Sequence, residues 1–68
     1  MKRGIYKHYK GGVYELVDIA RHSETLEKLV IYRNVDTHEY WARPLHMWDE
    51  TVYVNGETVR RFTLISES

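Results

Sequence analysis

The stretch GIYKHYKGGVYELV, residues 4–17, predicts two short strands joined by a tight turn. Gly11 and Gly12 supply the positive φ values that a tight hairpin turn needs. Tyr, His and Lys side chains are dense around that turn. A hairpin of this kind opens many small β-barrels, and its turn places chemically useful groups at one rim. This end of the molecule is therefore the first candidate for a binding surface.

The second strand of the hairpin continues to His22, which is too long for one flat strand of a small sheet. Its apolar residues change face midway, so we expect a bulge or bend near Val17 and Asp18. The segment Ser23-Glu24-Thr25-Leu26-Glu27 then interrupts the β pattern. Ser23 or Thr25 is placed to cap a short helical turn there.

The remainder of the chain alternates short strands with turn signals. Asn55-Gly56 between apolar arms is the strongest hairpin signal in the sequence. Proline at position 44 ends a strand and suits the start of a single helical turn. The predicted elements are strands at Lys28–Arg33, Tyr40–Arg43, Thr51–Val54 and Thr58–Leu64, a polar turn at Asp36–Glu39, and a helical turn at Pro44–Trp48.

These elements predict an all-β fold. We expect a small SH3-like barrel of five to six short antiparallel strands with one helical turn, and an OB-like barrel is the alternative. Residues 1–64 form the single domain in this prediction, and residues 65–68 form a frayed C-terminal tail.

Size and composition limit the classes of function. The chain has 68 residues, no cysteine, and ten basic against ten acidic side chains. Disulfides and thiolate-bound zinc are therefore excluded as sources of stability. A net charge of zero argues against a dedicated duplex-DNA binder, because phosphate neutralisation supplies most non-specific affinity. The charges are nevertheless uneven, since Lys2, Arg3, Lys7 and Lys10 precede the first acid, Glu15.

No targeting or membrane segment is predicted. The longest apolar run is Leu29-Val30-Ile31-Tyr32, whereas a membrane-spanning helix needs about 20 apolar residues. We expect a soluble protein of the cytoplasm.

Several blocks of the sequence resemble the short bacterial family catalogued as domain of unknown function 1653. They are His8-Tyr9-Lys10-Gly11, Tyr14-Glu15, Ala20-Arg21-His22-Ser23-Glu24-Thr25, and Trp41-Ala42-Arg43-Pro44 with Met47. The resemblance runs from about Gly4 to Phe62 and implies no established activity. Asp18 stands where the family pattern favours glycine, and Trp48 stands where it favours phenylalanine.

Four histidines raise the question of metal binding or catalysis. His8, His22, His38 and His46 show neither the i, i+4 spacing of a helix nor the i, i+2 spacing of a strand. Ser23 lies between His22 and Glu24, but adjacent side chains point in different directions and rarely form a relay. We therefore expect no catalytic residues, no metal and no cofactor. A catalytic or metal-dependent role would have to use His8, His22 and Glu24.

The aromatic side chains favour a binding function. Six tyrosines, two tryptophans and one phenylalanine exceed what so small a core accommodates, so some rings should lie at the rim. In the strand that contains Tyr40 and Trp41, adjacent side chains point to opposite faces. Exposed rings beside basic side chains form a surface that grips cations or peptides, or stacks on bases.

The sequence thus predicts a small binding or adaptor module rather than an enzyme. Its partner is a protein segment or peptide, and single-stranded nucleic acid or a nucleotide is the alternative ligand of the same surface. An unpaired edge strand makes either a monomer or a homodimer possible. Arg43 is expected to pair with Glu24 or Glu50, or to bind an anion near His8 and His22. The predicted binding residues are Tyr6, His8, Lys10, His22, Glu24, Trp41 and Arg43.

Overall fold

The computed structural model describes residues 2–67 and confirms the all-β class. Within these residues there are seven strands, one or two more than predicted, and one 3-10 turn, Leu45–Met47. None of the described helical segments is long and apolar enough to cross a membrane. The strands are β1 (Gly4–His8), β2 (Val13–Arg21), β3 (Lys28–Asn34), β4 (Tyr40–Pro44), β5 (Thr51–Val54), β6 (Glu57–Arg60) and β7 (Phe62–Glu67).

The strands form two antiparallel sheets. The larger sheet has the order β4-β3-β2-β1-β7, and the smaller one is the β5–β6 hairpin. The described strands therefore do not close the predicted SH3-like barrel through hydrogen bonds, nor the OB-like alternative. The large sheet keeps two open edges, one at β4 and one at β7.

The predicted irregularity in β2 is confirmed. The pairing of β2 with β3 shifts between Leu16 and Asp18, which is a β-bulge. Asp18 fixes the bend without the backbone freedom of glycine, because its carboxylate accepts hydrogen bonds from the Ile19 N–H at 2.7 Å and from Arg3 at 2.8 Å. The bulge moves the apolar residues of the second half of β2 to the opposite alternation, as the sequence pattern requires.

Aromatic rings make up most of the core. Trp48, which follows the 3-10 turn, is 1 % exposed and stacks on Phe62 with ring centroids 4.0 Å apart. Tyr6 and Tyr32 meet the Trp48 ring edge-on at 5.4 and 5.2 Å. Because these residues come from β1, β3, β7 and the segment after the 3-10 turn, the stack joins one face of the large sheet to the rest of the chain.

The C-terminal part of the chain differs from the prediction in two respects. The predicted strand Thr58–Leu64 is two strands, because the chain changes partner at Arg61. Its N–H still donates to the Glu50 carbonyl at 3.0 Å, next to the β5–β6 ladder, whereas its carbonyl accepts from the Tyr9 N–H at 2.9 Å, next to β1. Residues 65–67, predicted as a frayed tail, belong to β7, where Glu67 pairs with Gly4. Met1 and Ser68, which the prediction assigned to the domain and the tail, lie outside the described residues.

Candidate functional site

His8 is built into the turn between β1 and β2. Its Nδ1 accepts a hydrogen bond from the Lys10 N–H at 3.1 Å, and its carbonyl accepts one from the Gly11 N–H at 2.8 Å. The ring also packs against Phe62, with centroids 5.0 Å apart. Burial lowers the pKa of His8 below its usual 6.5, and the positive charges of Arg61, Lys10 and Arg43 lower it further. His8 is therefore neutral at neutral pH and serves as an acceptor within the turn.

A small aromatic and basic cluster surrounds this turn. The Tyr9 ring lies 5.7 Å from the Lys10 ammonium and 5.9 Å from the Arg61 guanidinium carbon. Both distances fall within the range of cation–π contacts. The fold thus brings Lys10, a predicted binding residue, together with Tyr9 and Arg61, which were not among the predicted binding residues.

Tyr6 belongs to the core rather than to an exposed rim. Its side chain is 6 % exposed, and its hydroxyl donates to the Lys2 carbonyl. Burial raises the pKa of this phenol above its usual value, and the charges of Asp49 and Glu67 add to the effect. The alternation of β1 explains the position, because Tyr6 faces Tyr14 and Leu64 across the core side of the sheet.

His22 and Glu24 lie in the loop between β2 and β3. The predicted helical turn is a hairpin loop, closed by hydrogen bonds from the His22 N–H to the Glu27 carbonyl and from the Leu26 N–H to the His22 carbonyl. The Nδ1 atom of His22 accepts from the N–H groups of Glu24 and Thr25, at 3.1 and 3.3 Å. This imidazole therefore caps backbone donors.

The hydroxyl of Ser23 donates to the Glu24 carboxylate at 2.5 Å rather than to His22. The three side chains do not form a Ser–His–acid relay.

The structure separates the two groups of predicted site residues. His8 precedes β2 and His22 follows it, so the nine residues of that strand lie between them, each advancing about 3.3 Å. The structure therefore does not bring together His8, His22 and Glu24, the residues that a catalytic or metal-dependent role was expected to use. The described part of the chain contains no cluster of three His, Cys, Asp or Glu side chains that could hold a metal ion.

A repeated loop was missed at the sequence level. The loop between β3 and β4 has the same hydrogen bonds as the His22 loop, with Asn34 in place of His22: its Oδ1 accepts from the N–H groups of Asp36 and Thr37, at 2.8 and 3.0 Å. His38, at φ 64°, stands where Leu26 has φ 63°. The sequence signal is an acid followed by Thr-x-Glu, present twice with a spacing of twelve residues.

Arg43 has the structural role that was expected by default. Its guanidinium donates to the Glu50 carboxylate at 3.0 Å and to the Met47 carbonyl at 3.1 Å. These contacts hold the segment that follows β4 against the strand. They use the Nε and Nη2 atoms of the Arg43 guanidinium. Because His8 and His22 lie at opposite ends of β2, the structure does not bring Arg43 together with both histidines.

Trp41 lies on the open edge strand β4 and is 50 % exposed, and its neighbour Tyr40 is 65 % exposed. Tyr32 pairs with Trp41, which places the tryptophan on the core side of the sheet at its margin. Tyr40 projects from the opposite side. One ring outside the core was expected, and both are largely exposed.

A groove lies beside β7 at the other edge of the sheet. It has a volume of about 440 Å³, within the usual range of ligand pockets. Its floor and walls come from the outer side of β1 and β7 and from the β5–β6 hairpin. The lining residues are Lys7, His8, Tyr9, Val54, Asn55, Glu57, Val59, Arg60, Thr63 and Ile65.

A second cavity lies on the core side of β7. Its volume is about 360 Å³, and Arg60 and Thr63 line both cavities. Phe62 and Leu64 contribute to the second cavity, as does Tyr6 of the predicted set. β7 therefore separates two cavities, one for each of its faces.

The groove residues were missed because of how the end of the chain was assigned. Ile65 was placed in a frayed tail, yet it lines the outer groove and is 55 % exposed. Val59 and Arg60 were placed in one long strand with Phe62, which hid the bend at Arg61 that opens the groove. The glycine-free alternation of residues 62–66 could have indicated a separate strand.

Comparison with known proteins identifies the family. The family model described as "Protein of unknown function (DUF1653)" matches residues 4–64. A crystal structure of a DUF1653 protein from Bordetella bronchiseptica is similar in fold, with a TM-score of 0.90 and 31 % sequence identity, over 100 % of this chain and 91 % of that chain. No curated protein matches the chain. The chain therefore belongs to the DUF1653 family of proteins of unknown function.

Proposed function

We propose that this protein is a binding module for an extended protein segment, which lies along the open edge of β7. The single observation that carries the proposal is the arrangement of that edge, with a cavity on each of its faces. Side chains of an extended segment alternate between two faces. A segment added beside β7 can therefore place alternate side chains in the two cavities.

The backbone of β7 offers hydrogen bonds for such a segment. The Tyr9 N–H donates to the Arg61 carbonyl at 2.9 Å, and Lys7 pairs with Thr63 two residues further on. Because hydrogen-bonded pairs alternate along an antiparallel ladder, the peptide groups of Phe62 and Leu64 point away from β1. Strand addition uses main-chain groups of this kind for affinity and side-chain pockets for specificity.

The lining of the outer groove defines the chemistry of the segment. Val54, Val59 and Ile65 provide aliphatic surface. Lys7 and Arg60 provide positive charge against the single carboxylate of Glu57. Lys7 makes no ion pair with any carboxylate of residues 2–67, and Arg60 lies only within 3.9 Å of Asp49. The groove thus suits an aliphatic side chain with acidic neighbours.

This site keeps part of the predicted rim and replaces the rest. His8 lines the outer groove and Tyr6 lines the inner cavity, while Lys10 adds charge near the mouth beside Tyr9. His22 and Glu24 belong to a remote loop, Trp41 lies on the other edge strand, β4, and Arg43 is bound to Glu50. The proposed ligand, a protein segment, is the predicted one. It binds at a partly different set of residues.

A display selection with random peptides against the full chain tests the proposal. We expect recovered peptides to share an aliphatic residue flanked by acids. Lys7→Glu should weaken their binding, because it reverses the unpaired charge of the groove. Lys28→Glu makes the same change on exposed β3 far from the groove and should leave binding intact. Failure to recover any peptide, or equal binding by the two variants, would contradict the proposal.

Single-stranded nucleic acid is the second candidate ligand. The observation that favours it is the position of Tyr9 within reach of two cations, Lys10 and Arg61. Bases stack on aromatic rings while cations contact phosphates, and such binding weakens steeply with salt. A titration with a mixed single-stranded RNA pool at low and moderate salt separates the two ligands. Salt-sensitive binding lost on Tyr9→Leu would favour nucleic acid over the protein segment.

A further inference from the structure

Three adjacent exposed residues begin the edge strand β4, at the side of the sheet opposite to the proposed peptide groove. Tyr40 and Trp41 are two of the large apolar side chains that are exposed, and Ala42 is also exposed. Within residues 2–67, β4 pairs only with β3. This edge is independent of the groove beside β7 and has no role in the function proposed above.

The hydrogen-bonding pattern shows which groups of β4 face outward. The Asn34 N–H donates to the Glu39 carbonyl at 2.9 Å, and Tyr32 pairs with Trp41 two residues further on. Hydrogen-bonded pairs alternate along the ladder, so the N–H and C=O groups of Tyr40 and Ala42 point to the open edge. The next outward position is Pro44, which has no N–H. The usable edge is therefore short and ends at the proline.

We propose that this edge pairs with the same edge of a second copy of the chain, in antiparallel register about Trp41. In that register Tyr40 of each copy lies opposite Ala42 of the other, and all four outward N–H groups meet outward carbonyls. The second copy is the occupant that the strand itself indicates, because this arrangement satisfies both donors and both acceptors and leaves Pro44 outside the ladder.

The side chains fit the same symmetry. The two Trp41 rings lie side by side on the core side of the joined sheet, and each large Tyr40 ring lies beside a small Ala42 on the other side. The net charge of zero adds no general repulsion between two copies. An interface of so few residues is smaller than those of stable dimers, so the association is weak and depends on concentration.

Disulfide trapping tests this register directly, since the chain has no cysteine of its own. Paired positions on adjacent strands lie at Cα distances that a disulfide can bridge, whereas diagonal positions lie further apart. Tyr40→Cys and Ala42→Cys, mixed under mild oxidation at millimolar concentration, should cross-link to each other severalfold faster than either variant does to itself. Tyr53→Cys is the matched control, because Tyr53 is 77 % exposed on the β5–β6 hairpin.

Sedimentation of the unmodified protein completes the test. We expect an apparent mass that rises with concentration, and a smaller rise in Ala42→Pro. This variant removes one of the two outward N–H groups of β4 and leaves the hydrogen bonds between β4 and β3 in place. The proposal is overturned if the protein remains monomeric at millimolar concentration, or if the mixed pair cross-links no faster than the Tyr53→Cys control. Preferential self-linking of Ala42→Cys would also overturn it, since it places the symmetry axis elsewhere.

Discussion

At the residue scale, His22 and Asn34 perform the same task with different side chains. Each accepts two backbone hydrogen bonds from the residues that follow it, and each loop is closed by the same pair of main-chain bonds. A histidine beside a serine and a glutamate suggests chemistry when only the sequence is read. Its counterpart in the second loop shows that a side-chain hydrogen-bond acceptor at this position is what the hairpin requires.

We expect His22→Asn to fold as stably as the unmodified protein and His22→Ala to lose about 1 kcal/mol, the usual cost of removing a side-chain cap from backbone donors. The asparagine variant is the matched control, because Asn34 already caps the equivalent loop. Urea denaturation, monitored by circular dichroism, measures the stability of both variants. An equal loss in the two variants would show that His22 contributes something other than an acceptor.

His8 makes the stability of the folded chain depend on pH. Its folded pKa lies below the 6.5 of the unfolded chain, first because of burial and then because of neighbouring positive charges. The unfolded state therefore binds more protons in the window below pH 6.5, and stability falls as pH falls through that window. Above pH 6.5 this contribution is fully present.

We expect the free energy of unfolding to decrease between pH 7.5 and 5, and the decrease to be smaller in His8→Gln, which keeps an acceptor but does not titrate. His38→Asn is the control, because asparagine also tolerates the positive φ of that exposed position. A His8 imidazole that titrates above 6.5 by NMR would contradict this account.

At the element scale, the β5–β6 hairpin forms one wall of the outer groove. Its turn, Asn55-Gly56, has φ values of 50° and 84°, as the Asn-Gly signal predicts. Tyr53 on this hairpin is 77 % exposed. The hairpin thus owes its form to its own turn and cross-strand pairs more than to burial.

Gly56→Val should destabilise this hairpin by about 1–2 kcal/mol, because a β-branched residue resists positive φ. A Cβ at this position meets no neighbouring atom, so the cost comes from the backbone alone. Hydrogen exchange should accelerate in residues 51–60 and remain slow in β3. Gly56→Asn, which tolerates this conformation, should change little. Unchanged exchange in both variants would contradict the assigned turn.

The elements also show what could be predicted from the sequence. Turn signals and alternation located the first hairpin, the bulge at Asp18, the 3-10 turn and the last hairpin, because each depends on local backbone preferences. The bend at Arg61 could not be predicted in this way, since it depends on a change of pairing partner. The Arg61 N–H bonds to Glu50 beside the β5–β6 hairpin, whereas the Arg61 carbonyl bonds to Tyr9 beside β1. The separation of His8 from His22 likewise depends on strand pairing rather than on spacing.

At the scale of the whole molecule, one aromatic core supports a sheet with two open edges. Trp48, Phe62, Tyr6 and Tyr32 fill the core face, which accounts for several of the rings that were expected at the rim. The two edges differ in character: β7 lies between two cavities that are lined in part by cations, whereas β4 is short and ends at a proline. This difference underlies the assignment of a protein segment to the first edge and of a second copy to the other.

The central claim is that an extended segment binds along β7. An amide NMR titration of the labelled chain with a peptide recovered from the display selection tests it most directly. The account predicts shifts that do not depend steeply on salt and that cluster on Lys7–Tyr9, Val59–Arg60 and Thr63–Ile65. Shifts confined to Tyr40–Ala42, or to the His22 loop, would contradict it.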